Sequence, residues 1–310
     1  MPVTPVMPAS RLARIGALVV AAAAFSPLAA QSGAQAAAPA PVVFVTPAWL
    51  AERLSDPSVV VLHVAQNRHE YLDGHVAGAR FLWPGAAVRS TPDVSVELPP
   101  LAQLDSLLEV AGVSDRSRIV LYGSGPTTVA RAFMTLEYAG LAGRVSILDG
   151  GLAAWREEGK PVETGERPVA RGKLTLHPQR DVVVDAAWVQ SHAGQSSVAV
   201  LDARSPEFYT GANAGGMPRP GRIPSAVNIP FTSLMGAQGK LKDTTALREL
   251  FTAAGVRPGQ EVVTYCHIGL QGSLLYAAAR QLGHPAHLYD GSFEDWSHNT
   301  SFPVATGDKK

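Results

Sequence analysis

The chain has 310 residues, 46% of them hydrophobic and 17% charged, with 26 basic residues balanced by 26 acidic ones. This composition excludes an intrinsically disordered chain, and the balanced charge excludes a global field of the kind that gathers nucleic acid. An anionic ligand would need local cations or backbone N–H groups to hold it.

Residues 1–36 read as a signal peptide and Ala/Pro-rich leader. Arg11 and Arg14 precede an apolar, Ala-rich run from Ile15 to Phe25 that is too short to span a bilayer. Small residues suited to cleavage follow at Leu28-Ala29-Ala30 and Ala34-Gln35-Ala36, with no cysteine nearby to carry a lipid. The expectation is a periplasmic or secreted protein with no stable membrane anchor after processing.

From residue 42 onward, strand and helix patterns alternate. Apolar runs predict strands at Val59–Val64, Ile119–Tyr122 and Val145–Leu148, then at Val198–Ala203, Glu261–Tyr265 and His287–Tyr289. Helical spacing predicts helices at Leu101–Val110, Val129–Ala139, Ala246–Ala254 and Leu274–Leu282, with Gly112, Gly140, Gly255 and Gly283 at their ends. Such alternation implies an α/β fold with mostly parallel sheets covered by helices on both faces.

The pattern also occurs twice. Trp49 matches Trp188, Val60-Val61-Leu62 matches Ala199-Val200-Leu201, Ile119-Val120-Leu121-Tyr122 matches Val262-Val263-Thr264-Tyr265, and Trp155 matches Trp296. A period near 140 residues means tandem domains. The expected boundaries are a first domain at 42–158, a linker at 159–177 and a second domain at 178–306.

The only cysteine, Cys266, follows the strand Glu261–Tyr265 and precedes a small-residue loop and a helix. Taken alone, a lone cysteine is more often a buried inert residue. At a strand's carboxyl end and a helix start, however, unpaired N–H groups and the helix dipole favour a thiolate, which is the nucleophilic form. The repeat places Gly123 where the second half has Cys266, so the first domain is expected to be non-catalytic and replacement of Gly123 to leave turnover nearly unchanged. One cysteine and scattered histidines make no metal cluster, and no glycine-rich nucleotide fingerprint follows the first strand of either half. No metal and no cofactor are expected.

Together, Leu201-Asp202-Ala203-Arg204, Gly221-Arg222-Ile223-Pro224, the loop Cys266 to Ser273 and Tyr289-Asp290-Gly291-Ser292-Phe293 resemble the tandem-domain rhodanese family of sulfurtransferases. The resemblance spans about residues 42 to 305. It implies ping-pong transfer of a sulfane sulfur through a Cys266 persulfide, with thiosulfate as first donor and cyanide or a thiol as acceptor. 3-Mercaptopyruvate is the alternative donor, and a non-enzymatic thiol-based binding or redox-sensing protein is the rival reading. The resemblance implies small-molecule partners and no nucleic acid.

Amide groups of His267, Ile268, Gly269, Leu270, Gln271, Gly272 and Ser273 would ring the persulfide. His267-Ile268 fits neither the basic pair of thiosulfate-using members nor the Gly-Ser pair of mercaptopyruvate-using ones, and His267 could supply a part-time positive charge. Arg204 is a candidate substrate contact, weighed against an ion pair with a neighbouring acid. His75 is a candidate contributor from the first half across the domain interface. Asp290 is expected to cap the last helix. Gly272 stands where phosphatases of similar fold carry arginine, which argues against phosphoryl chemistry.

Overall fold

The computed structural model describes residues 1–2, 42–91 and 94–307; the expected leader otherwise lies outside the described residues. Those from 42 onward belong to one compact unit. The first sheet runs, edge to edge, Phe44–Val45, Val145–Leu148, Arg118–Gly123, Val59–Val64 and Arg80–Leu82. The second runs Val183–Val184, Ala286–Tyr289, Glu261–Tyr265, Val198–Asp202 and Val227–Asn228. Both are parallel throughout and have the same strand order.

Each sheet is covered on both faces, as its continuous apolar strands require. Along Val59–Val64, Val60, Leu62 and Val64 enter one core, whereas Val61 enters another with Leu50 and Trp155. In the second half, Leu201, Val262 and Leu288 face the first of these cores. Val200, Val263 and Tyr265 face a third core with Trp296. This alternation is the period of two of a β-strand.

The duplication extends to single hydrogen bonds. The Tyr122 hydroxyl accepts from Val76 N at 3.0 Å, and the Tyr265 hydroxyl from Ile223 N at 3.3 Å. Trp155 and Trp296 each donate an indole N–H to a proline carbonyl, of Pro161 and Pro303 respectively, at 2.8 Å. Thr46 and Asp185 each cap a short helix by accepting from Trp49 N and Trp188 N. The recurring tryptophans are therefore packing and capping positions.

The two helices that follow the equivalent loops, Pro126–Leu136 and Leu270–Gln281, pack on each other and merge the halves into one core. Val129, Phe133 and Met134 meet this core from one side, and Leu274, Leu275 and Ala278 from the other. Each fully buried large aliphatic side chain contributes about 1.5–3 kcal/mol. Tyr276 donates to Glu137 at 2.6 Å across the same contact. The segment expected as a linker is also tied down. Val162–Glu163 pairs antiparallel with His75–Val76, and Gly172 and His177 donate to first-half carbonyls. A segment running over a packed surface must find partners for its backbone groups, and composition does not reveal them.

Two helices start earlier than their apolar spacing predicts, at Pro126 and Leu270, because their first turns are polar or lined by loop residues. The short edge strands Phe44–Val45, Arg80–Leu82, Val183–Val184 and Val227–Asn228 lack a distinguishing pattern.

Candidate active site at Cys266

Cys266 leaves the central strand Glu261–Tyr265 at its carboxyl end and is 1% exposed. The chain turns at Gly269, whose φ of 87° starts the helix Leu270–Gln281. A Cβ at Gly269 would lie 2.9 Å from Arg131 Nη1 and 3.2 Å from the Asp290 carbonyl, so the turn needs glycine for both conformation and space. Gly272 is helical rather than left-handed. Its bare Cα lets the helix close on the strand, where a Cβ would meet Tyr265 at 3.0 Å.

The backbone N–H groups of Ile268, Gly269, Gln271 and Gly272 converge on Cys266 Sγ. Ser273 instead returns both its N–H and its hydroxyl to the Gly269 carbonyl, at 3.1 and 2.7 Å.

The loop is clamped from behind by the last strand-to-helix turn. Cys266 N donates to Ser292 Oγ at 3.3 Å, while Phe293 N and Glu294 N donate to the Cys266 and His267 carbonyls at 2.9 Å. Ser292 holds a left-handed φ of 53° and donates its hydroxyl to the Tyr289 carbonyl at 3.0 Å. A non-glycine residue in that conformation stores strain of about 1–3 kcal/mol, which the surrounding bonds must hold.

The electrostatics differ from the sequence expectation. Burial pushes the Cys266 thiol above its ordinary range, and this outweighs the four amides pulling it down. The thiolate fraction near neutrality is therefore smaller than for a free cysteine. The rate at which Cys266 reacts with thiosulfate or iodoacetamide should still be rising with pH above about 8.5. Stopped-time labelling across pH would check this, and a plateau below pH 7 would contradict the direction.

The surroundings of His267 work against the positive charge that it could supply. Burial and the nearby Arg204 push its pKa down, and its ring stands edge-on to Phe208 at 4.6 Å, with Nε2 buried and without a hydrogen-bond partner. Arg204 is 1% exposed, and its guanidinium grips Asp202, with Nη2–Oδ2 at 2.6 Å and a second bond to the Gly221 carbonyl at 2.8 Å. It also lies over the Phe293 ring at 4.1 Å. Arg204 thus ties strand ends together, the ion-pair reading of that residue. His75 stacks on Tyr71 at 4.1 Å, and its Nδ1 bonds the Tyr71 carbonyl at 2.8 Å, which keeps it among first-half groups.

The first-half side chain brought to the loop is instead Arg131, on the helix Pro126–Leu136. It is 2% exposed, pairs through Nη1 with Asp290, and leaves Nε and Nη2 without partners. A cavity of about 100 Å³ is lined by Arg131, Thr128 and Gln66 and by Leu270 at the loop. Asp290 caps no helix. It accepts from Arg131 and from Leu98 N at 3.0 Å, both in the first half. Arg131 carries no sequence signal of its own, and the motif that contains Asp290 and Ser292 does not give their partners, because these contacts arise across 159, 192 and 26 residues.

The description of a rhodanese-like domain matches the chain twice, at residues 46–158 and 185–299. A probable 3-mercaptopyruvate sulfurtransferase of Pseudomonas aeruginosa is 34% identical over 278 residues, covering 85% of this chain and 98% of the relative. A thiosulfate sulfurtransferase of Azotobacter vinelandii is 30% identical over 262 residues, covering 84% and 96%. Among solved structures, SseA from Escherichia coli, described with the rhodanese fold, superposes with a TM-score of 0.71 at 28% identity, covering 81% of this chain and 98% of that one. With two matching domains and relatives aligned along nearly their whole length, the chain belongs to the rhodanese-like family, as a tandem-domain sulfurtransferase.

Proposed function

We propose that Cys266 carries a sulfane sulfur between a small anionic donor and a thiophilic acceptor. The observation that carries this reading is the turn of the loop's backbone N–H groups, those of Ile268, Gly269, Gln271 and Gly272 among them, toward the buried Sγ. Such a ring suits a large soft anion and needs no metal. In the first half-reaction, the Cys266 thiolate attacks the outer sulfur of thiosulfate. The Sγ–S bond forms as the donor S–S bond breaks, and sulfite leaves with the electron pair. In the second, cyanide attacks the terminal sulfur, thiocyanate departs, and the Cys266 thiolate is regenerated.

The unpaired Nε and Nη2 of Arg131 supply donors for an anion beside the loop. Thiosulfate is the first choice, as a small dianion. 3-Mercaptopyruvate is the second, favoured by the name of the Pseudomonas relative. The reading includes export, supported by the charged, apolar and small-residue succession in residues 1–36.

Intact mass of protein recovered from the periplasmic fraction tests both parts. Loss of the leader should be visible directly. Incubation with thiosulfate should add one sulfur, about 32 Da, that cyanide removes. Full-length mass in the cytoplasmic fraction would refute export. Absence of sulfur gain with either donor would refute the persulfide.

A further inference from the structure

A second cavity, of about 450 Å³, lies at the carboxyl ends of the first sheet, around Gly123, where the repeat lacks its nucleophile. Its size suits a small-molecule site. The floor is apolar, formed by Val129, Ile147, Leu148 and Leu274. His63 also lines it, 3% exposed, with Nδ1 buried and without a hydrogen-bond partner. Burial lowers the pKa of His63 to about 4, so the ring is neutral and offers one donor and one acceptor.

The rim carries both signs of charge. Glu70 stands in the first turn and Asp73 at the end of the helix Arg68–Asp73, and Arg156 comes from the helix Gly151–Glu157. Among the described residues, no ion pair joins Arg156 to Glu70, Asp73 or Asp149, although all four line this one cavity. Ser124 donates to Glu70 and leaves its carboxylate charge unneutralised. Opposite charges that share a cavity without pairing match a ligand bearing both complements. The turn Met235 to Leu241 of the second half closes one side, held by Leu241 N on Asp149 at 2.8 Å and by Gln238 on Glu157 at 2.9 Å.

We propose that this cavity is a binding site for a small zwitterion with an apolar body, of the size and class of an apolar amino acid. The ammonium faces Glu70 and Asp73, the carboxylate faces Arg156, and the side chain lies on Val129, Ile147 and Leu274, within reach of His63. The site is separate from Cys266 and does not depend on the sulfur-transfer reading.

The test is calorimetric titration of the full chain with L-phenylalanine, with phenethylamine and 3-phenylpropanoate as analogues lacking one charge each. Saturable binding of L-phenylalanine is expected. It should weaken about tenfold or more for either analogue and in the Glu70→Gln/Asp73→Asn and Arg156→Gln variants. Ala153→Trp, which places an indole at the exposed mouth, should abolish it, whereas Cys266→Ser should leave it unchanged. Three results would each overturn the assignment: no saturable heat up to about 10 mM, an analogue binding as tightly as L-phenylalanine, or undiminished binding in Ala153→Trp.

Discussion

Cys266→Ser is expected to lose all sulfur uptake, with turnover falling on the order of 10³-fold or more, as when a covalent nucleophile is removed. The protein has no other cysteine, so no second thiol can accept the sulfur and blur the result. The change also leaves the fold in place. A serine hydroxyl is smaller than the thiol, and it can accept from the amides of Ile268, Gly269, Gln271 and Gly272 that converge on Sγ. Stability should therefore change by about 1 kcal/mol or less. Matched thermal unfolding and intact-mass experiments before and after thiosulfate separate chemistry from folding. A mass gain that survives in the variant would remove Cys266 from the mechanism and restore the reading of a buried inert cysteine.

The second large effect is expected at Gly123, on stability rather than on turnover. Gly123 pairs with Val64 in the middle of the first sheet. A Cβ there would lie 1.7 Å from the Val64 carbonyl oxygen and 2.7 Å from its carbon. Both are backbone atoms of a neighbouring strand and cannot rotate away as a flexible side chain would. Gly123→Ala must separate the strands or shift the loop Gly123-Ser124-Gly125, at a cost of about 3 kcal/mol or more. The midpoint of thermal unfolding should drop by roughly 5 °C or more. A variant melting with the parent would mean that the two strands part more freely than the register implies. The same geometry leaves no room for a side chain at the first-half position equivalent to Cys266.

Much of the architecture was legible in the chain. Apolar strands spaced between helices, repeated at about 140 residues, specify two parallel sheets through burial alone. Both sheets form with their predicted central strands. Cys266 was legible because the strand, thiol, glycine-bearing loop and helix are contiguous, and a local turn can aim nearby amides at a nearby sulfur. Which amides point there was not legible. Ser273 is as close in sequence as Gly272, yet it turns its N–H back to Gly269 as the helix begins.

The remaining features depend on distant segments meeting. His267 reads as a potential cation until Phe208 and Arg204 surround it, after which desolvation and a like charge push its pKa down. Arg204 and Arg131 are indistinguishable as letters. Packing turns the first inward onto Asp202 and brings the second to the loop through Asp290. Periodicity and local turns are written into neighbouring residues and survive in the unfolded string. Desolvation, the sign of the local field and the room for a Cβ depend on which atoms share a few ångströms after folding, and these come from segments that are far apart along the chain.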